Sequence, residues 1–292
     1  MFHNKINIPT YLNWQTLQSV KSHNIAYVEW GNPENEVLIC SHGLLRNSRD
    51  FDKIASILSK KFRVICFDTP GRGQSDWLED ENCYNYATYI NDTIFLLASL
   101  SIYSCHWLGT SMGGLIGMSL ASMYPYFIKS LILNDVGPSL SHASFIKIIK
   151  YISYDPEFES LDQAKIHFKK IYASFGINDE ETWDHITYHS TRKMPNNKYK
   201  MAYDVKIAKN LNQYTHHSED VDLFYMWNNI MCPTLVLRGE FSDILTKETA
   251  NLMAQKKNVT LCEIPKVGHA PSLAYESEIN IIEQWLNNIT KG

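Results

Sequence analysis

The sequence predicts an α/β fold that is interrupted by one helical insertion, and three observations lead to this prediction. Strands and helices alternate from about residue 25 to residue 135, which is typical of βαβ units. The alternation then stops, and residues 139–228 show helical patterns without a convincing parallel strand. The βα pattern resumes after this stretch. We therefore expect a core domain of residues 1–137 and 229–292 and an insertion of residues 138–228.

Short apolar runs locate the strands, and amphipathic patterns locate the helices. Strands are predicted over residues 25–30, 37–41, 62–67, 103–108, 129–134, 233–239 and 259–264, the first of them a candidate for antiparallel pairing. Helices are predicted over residues 50–60 and 84–100 and, within the insertion, over 145–152 and 161–175. Ser160 suits the N-cap of the last helix, and Gly176 suits its end.

Residues 109–113 read Gly-Thr-Ser-Met-Gly and fit the G-x-S-x-G pattern of a nucleophile elbow. The segment before them is a predicted strand, and residues 114–121 after them are a predicted helix. A serine on such a sharp turn has a strained backbone, and its hydroxyl stands clear of the sheet. The alternative is a glycine-rich turn with an incidental serine. Ser111 is therefore our candidate nucleophile.

Candidates for an acid and a base follow in the order expected after such an elbow. Asp243 lies four residues after the predicted strand 233–239, and His269 lies in the loop after strand 259–264. The alternatives are an acid at a helix N-terminus for Asp243 and a surface-loop histidine for His269. Chain order and position together favour a triad of Ser111, Asp243 and His269.

Asp135 is the rival candidate for the acid. It directly follows the predicted strand 129–134, where some hydrolases carry their acid. Asp243 sits in the commoner context, Arg-Gly-Glu-Phe-Ser-Asp. We therefore expect Asp243 to orient His269, and Asp135 to make only local hydrogen bonds.

A His-Gly turn at residues 42–43 follows the predicted strand 37–41. Such a turn after an early strand commonly supplies an oxyanion donor. The backbone N–H groups of Leu44 and Met112 are expected to converge on a substrate oxygen, whereas His42 is expected to brace the loop. Arg46 is a candidate for binding a substrate carboxylate, because arginine can do so bidentately. The alternative for Arg46 is a surface salt bridge.

Along nearly its whole length the chain resembles the α/β-hydrolase superfamily. The matching segments are residues 42–43, the D-x-x-G-x-G-x-S turn at 68–75, residues 109–114, 238–243 and 268–271. The resemblance implies a mostly parallel sheet with helices on both faces and an insertion that caps the active site. It also implies Ser111 as nucleophile, His269 as base and Asp243 as the acid that orients the base.

The resemblance is specific for the fold and triad, and it leaves the substrate open. A serine at the elbow disfavours haloalkane dehalogenases and epoxide hydrolases, which have an aspartate there. We therefore expect a carboxylesterase-like serine hydrolase that cleaves an ester, thioester, lactone or related acyl bond of a small molecule. The alternatives are carbon–carbon bond hydrolysis, acyl transfer, and ligand binding without catalysis.

Composition agrees with a soluble, cytoplasmic small-molecule enzyme. The chain has 292 residues, 45% of them hydrophobic and 20% charged, as in globular proteins. Its net charge of −4 argues against a nucleic-acid partner. No run approaches the roughly 20 apolar residues of a membrane span, and the first residues lack the apolar core of a signal peptide. Six cysteines without a C-x-x-C pair favour free thiols in a reducing cytoplasm. The oligomeric state stays open.

No cofactor and no metal are expected. His185 and His189 have an i, i+4 spacing but lack the glutamate of a zinc protease motif. His216 and His217, followed by acidic residues, suit a polar turn. The glycines at 71 and 73 do not form a nucleotide-binding loop, since the motif is too short and lacks the following lysine.

Overall fold

The computed structural model describes residues 1–13, 15–152, 154–212 and 219–290. In these residues the strands, in chain order, are β1 (Phe2–Ile8), β2 (Tyr11–Asn13), β3 (Gln18–Val20), β4 (His23–Trp30), β5 (Val37–Ser41), β6 (Arg63–Phe67), β7 (Cys105–Thr110), β8 (Ile128–Asn134), β9 (Ser139–Leu140), β10 (Glu157–Phe158), β11 (Thr191–Lys193), β12 (Tyr199–Met201), β13 (Val221–Asp222), β14 (Thr234–Gly239) and β15 (Val259–Ile264).

The helices of the same residues are α1 (Asp52–Leu58), α2 (Tyr86–Ser99), α3 (Met112–Met123), α4 (His142–Ile152), α5 (Leu161–Ile171), α6 (Glu180–Ser190), α7 (Lys206–Asn212), α8 (Phe224–Asn229), α9 (Lys247–Met253) and α10 (Glu276–Thr290). Short 3₁₀ turns cover Ser48–Phe51, Glu81–Cys83 and Ala173–Phe175.

Eight strands form the main sheet in the order β1-β4-β6-β5-β7-β8-β14-β15. The six strands from β6 to β15 pair in parallel, whereas β4 pairs antiparallel with both β1 and β6. The loops that follow β5, β7, β8, β14 and β15 therefore meet at one edge of the sheet, which we call the carboxyl edge. In open α/β sheets this is where ligands bind.

Alternate residues of the central strands pack into two separate apolar cores, as the period of two in a strand requires. In β5, Leu38 and Cys40 face one core, and Ile39 faces the other. The first core is covered by α1 and α10, and the second by α2, α3, α8 and α9. Helices thus lie on both faces of the sheet, and the predicted fold class is confirmed.

The chain between β8 and β14 forms α4–α8 and the short strands β9–β13. Strands β10, β12 and β11 make a small antiparallel sheet, and β13 pairs antiparallel with β9. The predicted α5 is present: the Ser160 hydroxyl accepts a hydrogen bond from the Gln163 N–H at its start, and Gly176 beyond its end is left-handed with φ 74°. The short strands are additions to the predicted helices.

No helix within the described ranges is long and apolar enough to cross a membrane. The six cysteines are free thiols, four of them buried.

Candidate active site

Ser111 stands on a tight turn between β7 and α3 with φ 50° and ψ −115°. Glycines on either side permit this turn, since a Cβ on Gly109 would lie 2.3 Å from the Gly113 carbonyl oxygen. A Cβ on Gly113 would lie 2.0 Å from the Ser41 carbonyl oxygen. A strained serine held by such close backbone packing is the local geometry that the G-x-S-x-G pattern predicts.

His269 lies in the loop after β15 and faces Ser111. Its Nε2 is 3.2 Å from the Ser111 hydroxyl, and its Nδ1 is 2.6 Å from a carboxylate oxygen of Asp135. The Ser174 hydroxyl, from the chain between β8 and β14, donates to the His269 carbonyl at 2.7 Å. The imidazole is therefore held between a hydroxyl and a carboxylate, in the arrangement of a serine–histidine–acid triad.

The predicted contact between Asp243 and His269 is wrong. Asp243 is exposed at the surface, and its carboxylate pairs with the Lys147 ammonium at 3.0 Å. Asp135, the rival candidate, occupies the position beside the imidazole and is fully buried.

The loop after β14 supplies hydrogen-bond donors where we predicted an acid. The Gly239 N–H donates to one Asp135 oxygen at 2.8 Å, and the Ser242 hydroxyl donates to the other at 2.6 Å. Because β14 is the neighbour of β8 in the sheet, its loop closes over the end of β8. These donors satisfy both oxygens of the buried Asp135 side chain, since burying a polar group without hydrogen bonds is costly.

Asn134, which the sequence patterns did not single out, ties three of the loops together. Its side-chain amide donates to the Thr110 hydroxyl at 3.0 Å and to the Pro271 carbonyl at 2.9 Å. The backbone carbonyl of Asn134 accepts a hydrogen bond from the Ser111 N–H at 3.0 Å. The sequence does contain one indication of this role: a polar residue ends an apolar strand, where packing alone would favour an apolar residue.

His42 braces the loop after β5. Its Nε2 accepts from the Thr69 N–H at 3.0 Å, so Nδ1 carries the proton and donates to the Gly43 carbonyl at 2.7 Å. Complete burial lowers the pKa of His42 to about 4, because the charged imidazolium would lose its hydration. His42 is therefore a neutral, fixed part of the loop.

Leu44 and Met112, the predicted oxyanion donors, line the same cavity as Ser111. Met112 is the first residue of α3, so its N–H belongs to the first turn, which has no partner within the helix. Gly43, next to Leu44, comes so close to the elbow that an added Cβ would lie 3.8 Å from the Ser111 Cβ. Both predicted donors thus belong to residues that border the same cavity as Ser111.

Arg46 is buried and already has a carboxylate partner. Two nitrogens of its guanidinium donate to the Asp50 carboxylate, at 2.8 and 2.5 Å, and a third donates to the Ser190 hydroxyl at 2.8 Å. The guanidinium also lies over the Tyr172 ring, 4.8 Å from its centre. The salt bridge expected as the alternative is thus present, but the Arg46 side chain is buried and does not lie at the surface. A substrate carboxylate at this point would have to compete with Asp50.

A cavity of about 1580 Å³ opens beside Ser111 and His269. Its apolar walls come from α3 of the core and from the chain between β8 and β14; they include Leu115, Val136, Ile148, Ile207, Leu223 and Met226. Apolar walls around a few polar groups are typical of small-molecule sites.

Within the described residues, Asp52, His185 and His189 have ligand atoms within 4.8 Å of one another and could in principle hold a metal ion. Arg49 donates from Nε to both Asp52 oxygens at 2.9 Å, so this carboxylate already has a cationic partner. The His185 Nε2 lies 2.8 Å from the Arg49 carbonyl oxygen and is also engaged. His216 and His217 lie outside the described residues.

Comparisons with known proteins identify the fold family. The profile of the alpha/beta hydrolase fold family matches residues 36–273, and the chain belongs to this family. It is 37% identical to the 3-hydroxybutyrate-oligomer hydrolase of Cupriavidus necator over 93% of this chain and 95% of that protein. It is 26% identical to an esterase of Mycobacterium tuberculosis over 81% of this chain and 76% of that protein.

Two solved structures superpose over nearly the whole chain. A proposed hydrolase from Rickettsia typhi has a TM-score of 0.93 and 45% identity, with 99% of each chain covered. An alpha/beta hydrolase from Novosphingobium aromaticivorans has a TM-score of 0.86 and 30% identity, with 98% of each chain covered. The homologues are hydrolases, and this chain is a hydrolase of the same fold.

Proposed function

We propose that the protein is a serine ester hydrolase whose triad is Ser111, His269 and Asp135. One observation carries the proposal: His269 has its two ring nitrogens within hydrogen-bond distance of a strained serine hydroxyl and a buried carboxylate. A serine hydroxyl is a weak nucleophile on its own and needs an adjacent base in this position.

In the first half of the proposed reaction, the Ser111 hydroxyl attacks the ester carbonyl carbon while His269 Nε2 takes its proton. The negative charge that develops on the carbonyl oxygen is stabilised by the N–H groups of Leu44 and Met112. Asp135 accepts a hydrogen bond from the Nδ1–H of His269 and offsets the charge of the imidazolium. His269 then protonates the leaving alcohol, and the acyl-enzyme remains.

In the second half, His269 takes a proton from a water that attacks the acyl-enzyme, and Ser111 leaves with that proton as the acid is released. The chain between β8 and β14 acts as a cap in this proposal. Its apolar side chains would exclude bulk water from the cavity, which strengthens the electrostatic interactions there.

The relative from Cupriavidus necator supports an oligoester as the substrate class, since the identity extends over nearly the full length of both chains. Oligomers of 3-hydroxybutyrate are joined by ester bonds between small apolar units. A cavity of about 1580 Å³ has room for more than one such unit. We therefore propose short oligoesters of hydroxy acids, together with simple short-chain esters, as substrates.

The test of the nucleophile is Ser111→Ala. We expect a loss of about 10³-fold or more in kcat, as for triad knockouts in serine hydrolases, with the melting temperature unchanged. A fluorophosphonate should label the parent protein at Ser111 and not label the variant. Ser119→Ala is the matched control, because Ser119 lines the same cavity but donates to the Leu115 carbonyl at 2.9 Å. An active, folded Ser111→Ala protein would disprove the serine mechanism.

The test of the substrate class is a panel of p-nitrophenyl esters and acyl thioesters of graded length, together with dimers and trimers of 3-hydroxybutyrate. Released acids are identified by mass spectrometry, with and without an added alcohol as acceptor. We expect hydrolysis of the oligomers with kcat/KM at least equal to that of the best simple ester. Turnover of thioesters alone, or products only when the acceptor is present, would contradict the proposal.

A further inference from the structure

Arg72 is a fully buried charge that has no acidic partner among the described residues. Its side chain is 0% exposed, and no Asp or Glu of the described part of the chain forms an ion pair with it. A guanidinium stays charged at physiological pH. Burying a charge without a counter-ion is costly, and buried arginines are normally paired. Such an arrangement calls for a reason beyond packing.

The Arg72 side chain contacts both of the residues that carry the predicted oxyanion donors. Its Nε donates to the Leu44 carbonyl at 2.9 Å, and its Nη2 is 3.7 Å from the Met112 sulfur. In the proposed mechanism the N–H groups of these two residues stabilise the oxyanion. The guanidinium therefore contacts the backbone next to one proposed donor and the side chain of the residue that carries the other.

The remaining contacts hold the guanidinium in one orientation. Its Nη1 donates to the Pro70 carbonyl at 2.8 Å and to the Tyr89 hydroxyl at 2.9 Å. The group also lies over the Tyr89 ring, 4.8 Å from its centre. These partners are dipoles and a π face, which solvate a cation without neutralising it. Among the described residues the guanidinium thus has no carboxylate bound to it.

We propose that Arg72 is a positioning residue of the oxyanion site, and that its charge is compensated only when the oxyanion forms. This inference rests on the proposed function. In the resting enzyme the guanidinium holds the Leu44 carbonyl, one peptide unit beyond the proposed Leu44 N–H donor, and it meets no carboxylate of the described residues. In the tetrahedral intermediate a negative charge appears on the other side of Leu44 and Met112. The interaction is then stronger in the transition state than with bound substrate, and this difference is what raises kcat.

Four proteins separate the charge from the shape of the residue: the parent, Arg72→Lys, Arg72→Gln and Arg72→Met. Lysine keeps the charge, glutamine keeps a donor for the Leu44 carbonyl, and methionine keeps only the stem. We expect kcat on one good ester to fall by about 10²-fold in Arg72→Met and Arg72→Gln, the size of a lost oxyanion donor. Arg72→Lys should retain kcat within about tenfold of the parent, and KM should change by less than about threefold in all variants.

A second readout separates a positioning role from a general loss of structure. An octyl trifluoromethyl ketone forms a hemiketal with an active serine and carries the oxyanion, whereas the matching octyl methyl ketone binds without one. The affinity for the trifluoromethyl ketone should fall in proportion to kcat across the four proteins, and the affinity for the methyl ketone should stay unchanged. A mere packing defect would weaken both ketones together.

Arg63→Met is the matched control. Arg63 is a half-buried arginine that pairs with Glu29 at 2.6 Å on the far strands β6 and β4, and its loss should leave kcat and both ketone affinities at parent values. Circular dichroism and melting temperature check every variant for folding.

The inference on Arg72 is overturned if Arg72→Gln matches the parent while Arg72→Lys does not. It is also overturned if kcat falls while the trifluoromethyl ketone still binds as to the parent. Should Arg72→Met and Arg72→Gln fail to fold, Arg72→Lys alone decides: a loss of more than about 10²-fold would contradict a role of the charge. Failure of the proposed function shows differently, since the parent itself would then neither turn over esters nor react with a fluorophosphonate.

Discussion

The loops after β8 and β14 leave neighbouring parallel strands at the same edge of the sheet, yet their aspartates have opposite surroundings. Asp135 follows β8 directly, is fully buried and receives hydrogen bonds from Gly239, Ser242 and His269. Asp243 lies four residues beyond β14 and is exposed, and its carboxylate forms an ion pair with the Lys147 side chain. The position of a carboxylate in the chain therefore says less about its role than the donors that reach it.

The difference follows from sheet order. Because β14 lies beside β8, the first residues after β14 close over the end of β8 and offer their N–H and hydroxyl groups to Asp135. The chain then turns outward, and Asp243 reaches solvent. A buried carboxylate with three donors is held in one geometry, whereas an exposed ion pair is mobile and screened.

The largest expected effect contrasts the two acids directly. Asp135→Asn should lower kcat by about 10⁴-fold, the loss known for the equivalent acid of serine proteases, because the amide favours the wrong imidazole tautomer and cannot offset the imidazolium charge. Asp243→Asn should keep kcat within about threefold, since it breaks a surface ion pair. Both variants are assayed on one good ester and checked for folding by circular dichroism.

If the two variants reverse this order, His269 must turn toward the loop after β14 during turnover, and the contrast between the two loops fails. If both lose activity equally, the Asp243–Lys147 pair contributes to substrate binding, which a rise in KM would reveal.

The second expected effect is a loss of folding stability at low pH. It extends the contrast between buried and exposed groups to His42. The pKa of His42 is about 4 in the folded protein, below its ordinary value of 6.5, so the unfolded chain binds the proton first. The stabilising contribution of neutral His42 is complete above pH 6.5 and is lost as the pH falls toward 4. The free energy of unfolding that is lost over this pH window is about 3 kcal/mol.

His42→Gln tests this by chemical denaturation at several pH values. The variant should be less stable than the parent at pH 7, because it loses hydrogen bonds to Thr69 and Gly43, and this deficit should shrink on acidification. Asp243→Asn is the control, whose deficit should change little over the same range. A constant deficit for His42→Gln would mean that the imidazole is not held neutral by burial.

The sequence predicts the core of this fold closely. The predicted strand 37–41 is observed as β5 at Val37–Ser41, and the predicted strand 259–264 as β15 at Val259–Ile264. These runs are apolar and end at glycine, proline or polar residues, so local pattern determines them. The strands β10 and β13 have only two residues each, and no periodicity exists over so short a span.

The site is predictable where local geometry makes it. Ser111 and His269 are found together, because an elbow after one strand and a loop after another meet at the carboxyl edge. The acid depends on which strand lies beside which and on how a loop folds over its neighbour, and the chain order of elements does not contain that. Arg72 was missed for the same reason: within a glycine-rich turn, nothing local shows that its side chain points inward.

The smallest expected effect sharpens the comparison by removing one donor from Asp135 while leaving the carboxylate in place. Ser242→Ala deletes the hydroxyl that donates to Asp135 at 2.6 Å. A hydrogen bond to a charged group is worth about 1.5–3 kcal/mol, of which only the part that changes in the transition state appears in kcat. We therefore expect a loss of about tenfold in kcat with KM unchanged. Ser59→Ala, which removes a hydroxyl that donates to the Ser56 carbonyl at the end of α1, is the control and should retain full activity. If Ser242→Ala equals the parent, the Gly239 N–H and the imidazole suffice to hold Asp135, and burial rather than the number of donors is what distinguishes it from Asp243.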